Sequence, residues 1–233
     1  TRDPSAYKNY IAPQEHIINR SFYKNARAVL CQSQIHASVL SKNLLIDNVV
    51  ALPCSLWSKE EIKVIEKNCK NKKNDKVAIQ DSSNIIKGTF QAIEYCKVNK
   101  IDYDLLPATN FENFISKLSQ YKTLVFFPKT LETFCRLIAE ARMLNCEIIT
   151  NNFNGVTHEE WFSKFKGKQL INYVKKAEKD VVDKVVSLLE ETDQKPNNTK
   201  PLISVITSVY NADEFIESFL DDITSQTIFD QSE

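Results

Sequence analysis

Short apolar runs alternate with amphipathic helical patterns along most of this chain, and that alternation restricts the fold more than any other feature. "ARAVLCQS" (26–33), "NVVALP" (48–53), "KVAIQD" (76–81), "KTLVFFP" (122–128) and "CEIITN" (146–151) each carry a brief β-branched or aromatic core that closes in polar residues. They are apolar on both faces, as in buried parallel strands. "YDLLP" (103–107) adds a further strand. Between them lie helical patterns: "SQIHASVLSKNL", "SKEEIKVIEKNC", "NIIKGTFQAIEYCKV", "NFENFISKLSQ" and "LETFCRLIAEARML". Ser58 and Glu61 have capping-box spacing, and Asn110 is placed as an N-cap. Strand and helix in strict alternation predict an α/β fold: a parallel sheet with helices on both faces. Such sheets bind ligands beyond the carboxyl ends of their strands.

Near residue 190 the pattern changes. "VKKAEKDVVDKVVSLLEE" (174–191) reads as a long helix with Val174, Ala177, Val181, Val182, Val185, Leu188 and Leu189 on one stripe. "TDQKPNNTKP" (192–201) is polar, holds two prolines and reads as a linker. "LISVITSVYN" and "DEFIESFLDDITSQ" then open a second α/β domain over residues 202–233. Residues 1–25 read as the tail of a preceding domain, 26–191 as the central domain, and the whole as a piece of a longer protein.

Composition excludes several classes. Thirty Lys plus Arg balance 30 Asp plus Glu, so no basic field calls for nucleic acid. Six cysteines, with no C-x-x-C pair, read as reduced, mostly buried thiols of a cytosolic protein. No apolar run approaches the roughly 20 residues of a membrane helix, and the opening residues do not read as a secretory leader. Only Gly88, Gly155 and Gly167 are glycines, so neither the dinucleotide fingerprint nor the P-loop is present. The three histidines are far apart, which removes the common metal-ligand spacings, and there is no G-x-S-x-G elbow. No cofactor is expected in this stretch.

What remains is "FFPKTLETFCRLIAEARMLNCEIITN" (126–151). Pro128 ends a strand, and Thr133 stands where it would cap the following helix, whose inner stripe is Phe134, Leu137, Ile138, Ala141 and Leu144. The free N–H groups of that helix end would face the carboxyl edge of the sheet and suit a phosphate. Glu132 precedes the helix end, and Glu140 follows about two turns on, roughly 12 Å along the axis. Two acceptors so spaced would hold two hydroxyl-bearing rings either side of a diphosphate, the shape of a sugar nucleotide. The plain alternative is two ordinary helix-surface glutamates.

E-x7-E after a strand, in the frame "ETFCRLIAEA", resembles the motif of the family 4 retaining glycosyltransferases, which have the GT-B fold. "ARAVLCQSQIHASVL", "VVALPCSLW", "IIKGTFQAIEYC", "CEIITNNFNG" and residues 172–191 are similar to successive parts of that family's C-terminal nucleotide-sugar domain, which is Rossmann-like. The similarity covers about residues 15–190. "YKNYIAPQEHIINRSFY" would then close a preceding acceptor-binding domain. The resemblance implies a role for Lys87 at the donor diphosphate, for Glu132 as the catalytic-site carboxylate on the sugar hydroxyls, and for Glu140 on the ribose. It implies that Thr133, Phe134 and Cys135 offer backbone N–H groups to sugar or phosphate. No metal is needed there, because lysine and a helix end neutralise the leaving nucleotide.

The departures are specific. The arginine the family carries five residues before the lysine is Ser82, its Gly-Phe-Gly turn is Thr133-Phe134-Cys135, and its P-x-G is "PCS" with Ser55. Arg136 is a candidate for the missing cation, or else a surface residue. After the linker, Ser204 to Asn211, "SVITSVYN", is similar to the opening of family 2 transferases of the GT-A fold, with Ser208 replacing a proline and Tyr210 expected near the nucleotide base. A divalent metal belongs to the part of that domain expected beyond residue 233. Together these features imply a transferase chain for bacterial surface polysaccharide. Its partners would be a nucleotide-sugar donor and a glycan or lipid-linked glycan acceptor, in the cytoplasm at the inner face of the membrane. "KNCKNKKNDK" (67–76) is either a solvated loop or a basic patch for anionic lipid there. Two other readings stay open: a degenerate domain that binds nucleotide or glycan and positions the second enzyme, and a purely structural spacer.

Overall fold

The computed structural model describes residues 8–190 except 18 and 53. The chain divides at Val182 into two compact units, and the described part of the second is the end of a helix. The expected linker, Ser208 and Tyr210 lie outside the described residues.

In chain order the elements are α1 (Arg20–Asn25), β1 (Val29–Cys31), α2 (Gln34–Leu44), β2 (Val49–Ala51), α3 (Lys59–Asn68), β3 (Asn74–Gln80) and α4 (Thr89–Val98). There follow β4 (Tyr103–Leu106), α5 (Phe111–Leu118), β5 (Tyr121–Phe126), α6 (Arg136–Met143), β6 (Glu147–Thr150), α7 (Glu160–Lys164) and α8 (Gly167–Glu190). Single 3-10 turns stand at Gln14–His16, Ile85–Lys87 and Val156–His158. Local chemistry sets several starts. Ser33 accepts from the His36 N–H, Asn110 from the Asn113 N–H, and Ser58 and Glu61 close the expected capping box.

The strands pair in parallel throughout, as the alternation requires, with β4-β3-β5-β6 forming one sheet. Its two faces alternate residue by residue. Ala78, Leu124 and Phe126 join a large core with Ile62 and Ile65 of α3, Ile115 and Leu118 of α5, Ile138 and Ala141 of α6, and Leu170, Ile171 and Val174 of α8. Val77, Ile79 and Val125 point the other way, onto Ala92 and Cys96 of α4. The fold is therefore α/β and Rossmann-like, with helices on both faces of the sheet.

Three expectations need correction. First, β1 and β2 pair only with each other and form a separate two-stranded sheet. They are three residues long, and their own small cluster, Val29, Leu44 and Ile46, is met by α1 and α2 through Tyr23 and Leu40. Second, α6 starts at Arg136, not at Thr133, because residues 132–134 spend their backbone groups on a neighbouring segment. The Glu132 N–H donates to the Phe153 carbonyl, and the Gly155 and Val156 N–H groups donate to the Glu132 and Phe134 carbonyls. Third, α8 begins at Gly167, earlier than its stripe suggested, and Val182 is exposed while Val174, Ala177 and Val181 are buried.

Candidate functional site

Because β3, β5 and β6 run parallel, the loops that follow them meet at one edge. After β3 the chain makes a tight turn. The Asn84 side chain accepts from the Ile86 N–H, and Thr89 Oγ1 donates to the Gln80 carbonyl while accepting from the Ser82 N–H. Gly88 closes the turn with φ +70°, and a Cβ there would lie 1.7 Å from the Phe127 carbonyl oxygen. Only glycine permits that approach. The Lys129 N–H, just past β5, donates to the Ile86 carbonyl. The two loops are thus sewn together, and Lys87 Nζ reaches Glu132 Oε1 at 2.9 Å across 45 residues of sequence.

Glu132 stands on the extended segment beside Asn154, not on the helix. Thr133 does not cap α6. Its hydroxyl donates to Gln32 Oε1 at 3.0 Å, and its carbonyl accepts from the Ser33 hydroxyl at 2.6 Å. Gly155 lets these strands close up, since a Cβ there would meet the Thr133 carbonyl oxygen at 2.1 Å. Phe134 is fully buried between the rings of Trp57 and Trp161. Cys135 occupies the N-cap position with φ +80°. That left-handed conformation, natural to glycine, costs a side-chain-bearing residue roughly 1–2 kcal/mol. The turn thus has the backbone shape of a glycine turn although a cysteine occupies it. Burial, and then the adjacent Glu132 carboxylate, push the Cys135 thiol well above its ordinary pKa, so it is held protonated.

Glu140 belongs to a second cluster. It lies in α6 at 7% exposure. Its Oε1 accepts from Trp57 Nε1 at 3.0 Å and from Arg136 Nε at 3.2 Å. Arg136 also donates from Nη2 to Glu61 Oε1 at 2.6 Å, and its guanidinium sits 5.1 Å from the Trp57 ring centre. Both bonds to Glu140 converge on one oxygen, and among the described residues none reaches Oε2. Burial raises the Glu140 pKa, with Trp57 and Arg136 pulling it back and Glu61 adding to the rise. Glu61 goes the other way. Burial pushes it up, but the Ser58 N–H and Arg136 outweigh that, and its pKa is lowered.

The candidate residues therefore form two groups. Lys87, Glu132 and Cys135 meet at the carboxyl edge. Arg136 and Glu140 meet each other, with Trp57 and Glu61, beneath the start of α6. The spacing along one helix that relates Glu132 to Glu140 does not apply, since only Glu140 is helical. Trp57 was not singled out by its sequence context. The one signal for it was the need of a buried indole N–H for an acceptor, and the sequence does not say which.

Other features lie apart. A cavity of about 270 Å³ is lined by residues 10–44, among them Tyr10, Tyr23 and His36, and by none of the candidate residues. The basic cluster 67–76 is partly committed within the fold, with Lys67 on Glu112, Lys73 on the Leu144 carbonyl and Lys76 on Asp104. Among the described residues no group of three or more His, Cys, Asp or Glu is arranged to hold a metal ion, and no helix is long and apolar enough to cross a membrane. Compared with family models, curated proteins and solved structures, the chain finds no match in any of the three.

Proposed function

We propose that residues 26–190 are the nucleotide-sugar-binding half of a retaining glycosyltransferase of GT-B type that adds sugars to a growing polysaccharide. One observation carries this reading: Lys87 and Glu132 are brought together at the carboxyl edge of a parallel sheet, on a turn that only glycine can close. The pair is well suited to be exchanged. Its lysine side chain is 38% exposed, so solvent screens the pair and their mutual attraction is on the order of 1 kcal/mol. An arriving donor gives Lys87 a diphosphate, a more highly charged partner than the carboxylate it gives up, and leaves the Glu132 carboxylate to accept from the hydroxyls of a sugar. Lys87 then stabilises the negative charge that grows on the departing nucleotide. Glu140, with Oε2 uncommitted, takes the ribose.

The direct test is calorimetric titration of the full chain with UDP-glucose and GDP-mannose. Lys87→Ala and Glu132→Gln should each weaken binding of the recognised donor about tenfold, the scale of one charge-assisted contact. Unchanged affinity in both variants would refute the assignment. A second reading, a non-catalytic domain that binds nucleotide and positions a downstream enzyme, is favoured by two observations. Arg136 is tied to two carboxylates, and Cys135 fills the turn with a side chain. Donor binding without donor cleavage, over hours and with acceptor present, would select it.

A further inference from the structure

Glu140 is an unusual ligand to offer from an interior. A carboxylate this buried ordinarily takes up a proton or finds a cation. Here two side chains donate to it, and a third holds one of those two. Trp57, from the loop after β2, and Arg136, one turn earlier in α6, both donate to Oε1. Glu61, from the first turn of α3, holds Arg136 from its other side. Trp57 is itself fixed, since it is 3% exposed, its ring meets Phe134 edge-on, and the guanidinium lies over its face. Glu61 is fixed by the capping box with Ser58. The carboxylate can therefore not rotate about its axis without breaking two bonds, and among the described residues the oxygen left without a bond is Oε2.

From this we infer that Trp57, Arg136 and Glu61 are positioning residues, which fix the Glu140 carboxylate so that Oε2 accepts the ribose hydroxyls of a nucleotide. The inference rests on the nucleotide-sugar reading above. It assigns ribose selectivity to residues that do not touch the nucleotide. It also gives Arg136 a role other than phosphate cation, since its Nε and Nη2 each hold an acid. Trp57 sits 83 residues from Glu140 in sequence, so the loop after β2 becomes part of the donor site although nothing in its own chemistry announces a ligand.

The experiment compares UDP with 2′,3′-dideoxy-UDP, which lacks both ribose hydroxyls, in calorimetric titrations of the full chain; guanosine analogues replace them if GDP is the nucleotide bound. The wild-type protein should prefer the ribonucleotide by about tenfold, the worth of one hydrogen bond to a charged acceptor. Trp57→Phe keeps an aromatic face for Arg136 but removes the N–H donor, and the preference should fall to about twofold with little change for the dideoxy compound. Glu61→Gln, which preserves the capping box and so the fold, should reduce the preference in the same direction but less. If Trp57→Phe and Glu61→Gln weaken both compounds equally, these residues are merely structural, and the inference fails while the nucleotide-binding reading stands. If either variant binds the ribonucleotide more tightly, the network obstructs the site, and the inference is overturned. If the wild-type chain binds neither UDP nor GDP, the functional reading fails and takes the inference with it.

Discussion

Two sheets built from near-identical sequence patterns behave differently in this molecule. β3 and β5 carry Val77-Ala78-Ile79 and Leu124-Val125-Phe126, and all six side chains are buried, because α4 covers one face and α3, α5, α6 and α8 cover the other. β1 and β2 carry Val29-Leu30-Cys31 and Val49-Val50-Ala51, no less apolar in sequence. Yet Leu30 is 42% exposed, and every β2 residue is only half-buried. An apolar run shows that a strand can be covered on both sides; it does not show that anything covers it. Coverage depends on which helices return, and that is a tertiary property.

The comparison can be broken in four ways, from the largest expected effect to the smallest. Gly88→Ala forces a Cβ into the Phe127 carbonyl at a left-handed position, and the backbone of the four-stranded sheet's edge must move. A loss of about 4 kcal/mol is expected in chemical denaturation, among the largest a single residue produces. Ile138→Ala empties a fully buried position on α6 in the large core and should cost about 3–4 kcal/mol. Leu44→Ala removes the same kind of side chain from the β1–β2 cluster, which borders an open cavity and can relax. About 2 kcal/mol is expected, with amide exchange in Val29–Cys31 accelerated and exchange in β5 unchanged. If Leu44→Ala costs as much as Ile138→Ala and loosens β5, the two sheets share one cooperative core.

The smallest effect concerns pH. The Glu140 pKa is raised in the folded chain, so its contribution favours folding fully below the ordinary value of 4.5 and is lost as pH climbs through the raised one. The Glu61 pKa is lowered, so its contribution is present above 4.5 and is lost as pH falls through the lowered value. Glu140→Gln deletes the first term and leaves the second. The wild-type stability minus the variant stability should therefore decline as pH rises above 4.5, measured by denaturant titration between pH 4 and 8. A flat difference would show that Trp57 and Arg136 fully compensate the burial of Glu140. The same variant should weaken donor binding by about 1–3 kcal/mol.

Much of the fold is legible in the sequence. The six strands lie where apolar runs meet polar closures, and the caps at Ser58 and Asn110 form as their spacing demands. The start of α6 was not readable. Residues 131–135 carry helix-compatible side chains, but the Glu132 N–H and the Glu132 and Phe134 carbonyls are claimed by residues 153–156, a partner no local pattern names. The candidate site was half readable. Lys87 and Glu132 do converge at the carboxyl edge. The environment of Glu140 is hidden, because Trp57 reaches it, and Glu61 reaches its partner Arg136, through chain reversals that sequence spacing does not encode.

The six cysteines have a practical consequence. All are free and buried, and they are spread through the chain: Cys31 in β1, Cys54 in the loop before α3, Cys69 at the end of α3, Cys96 in α4, Cys135 before α6 and Cys146 before β6. Burial holds the Cys31 and Cys54 thiols up at about 11 and about 12, so as folded they are poor nucleophiles toward alkylating reagents at neutral pH. Each reacts only when its own neighbourhood opens. The protein thus carries its own set of clocks. Pulsed alkylation read by peptide mass would time the opening of each part of the chain, and the order in which Cys31 and Cys96 take label would show whether the small sheet breathes while the large one stays shut.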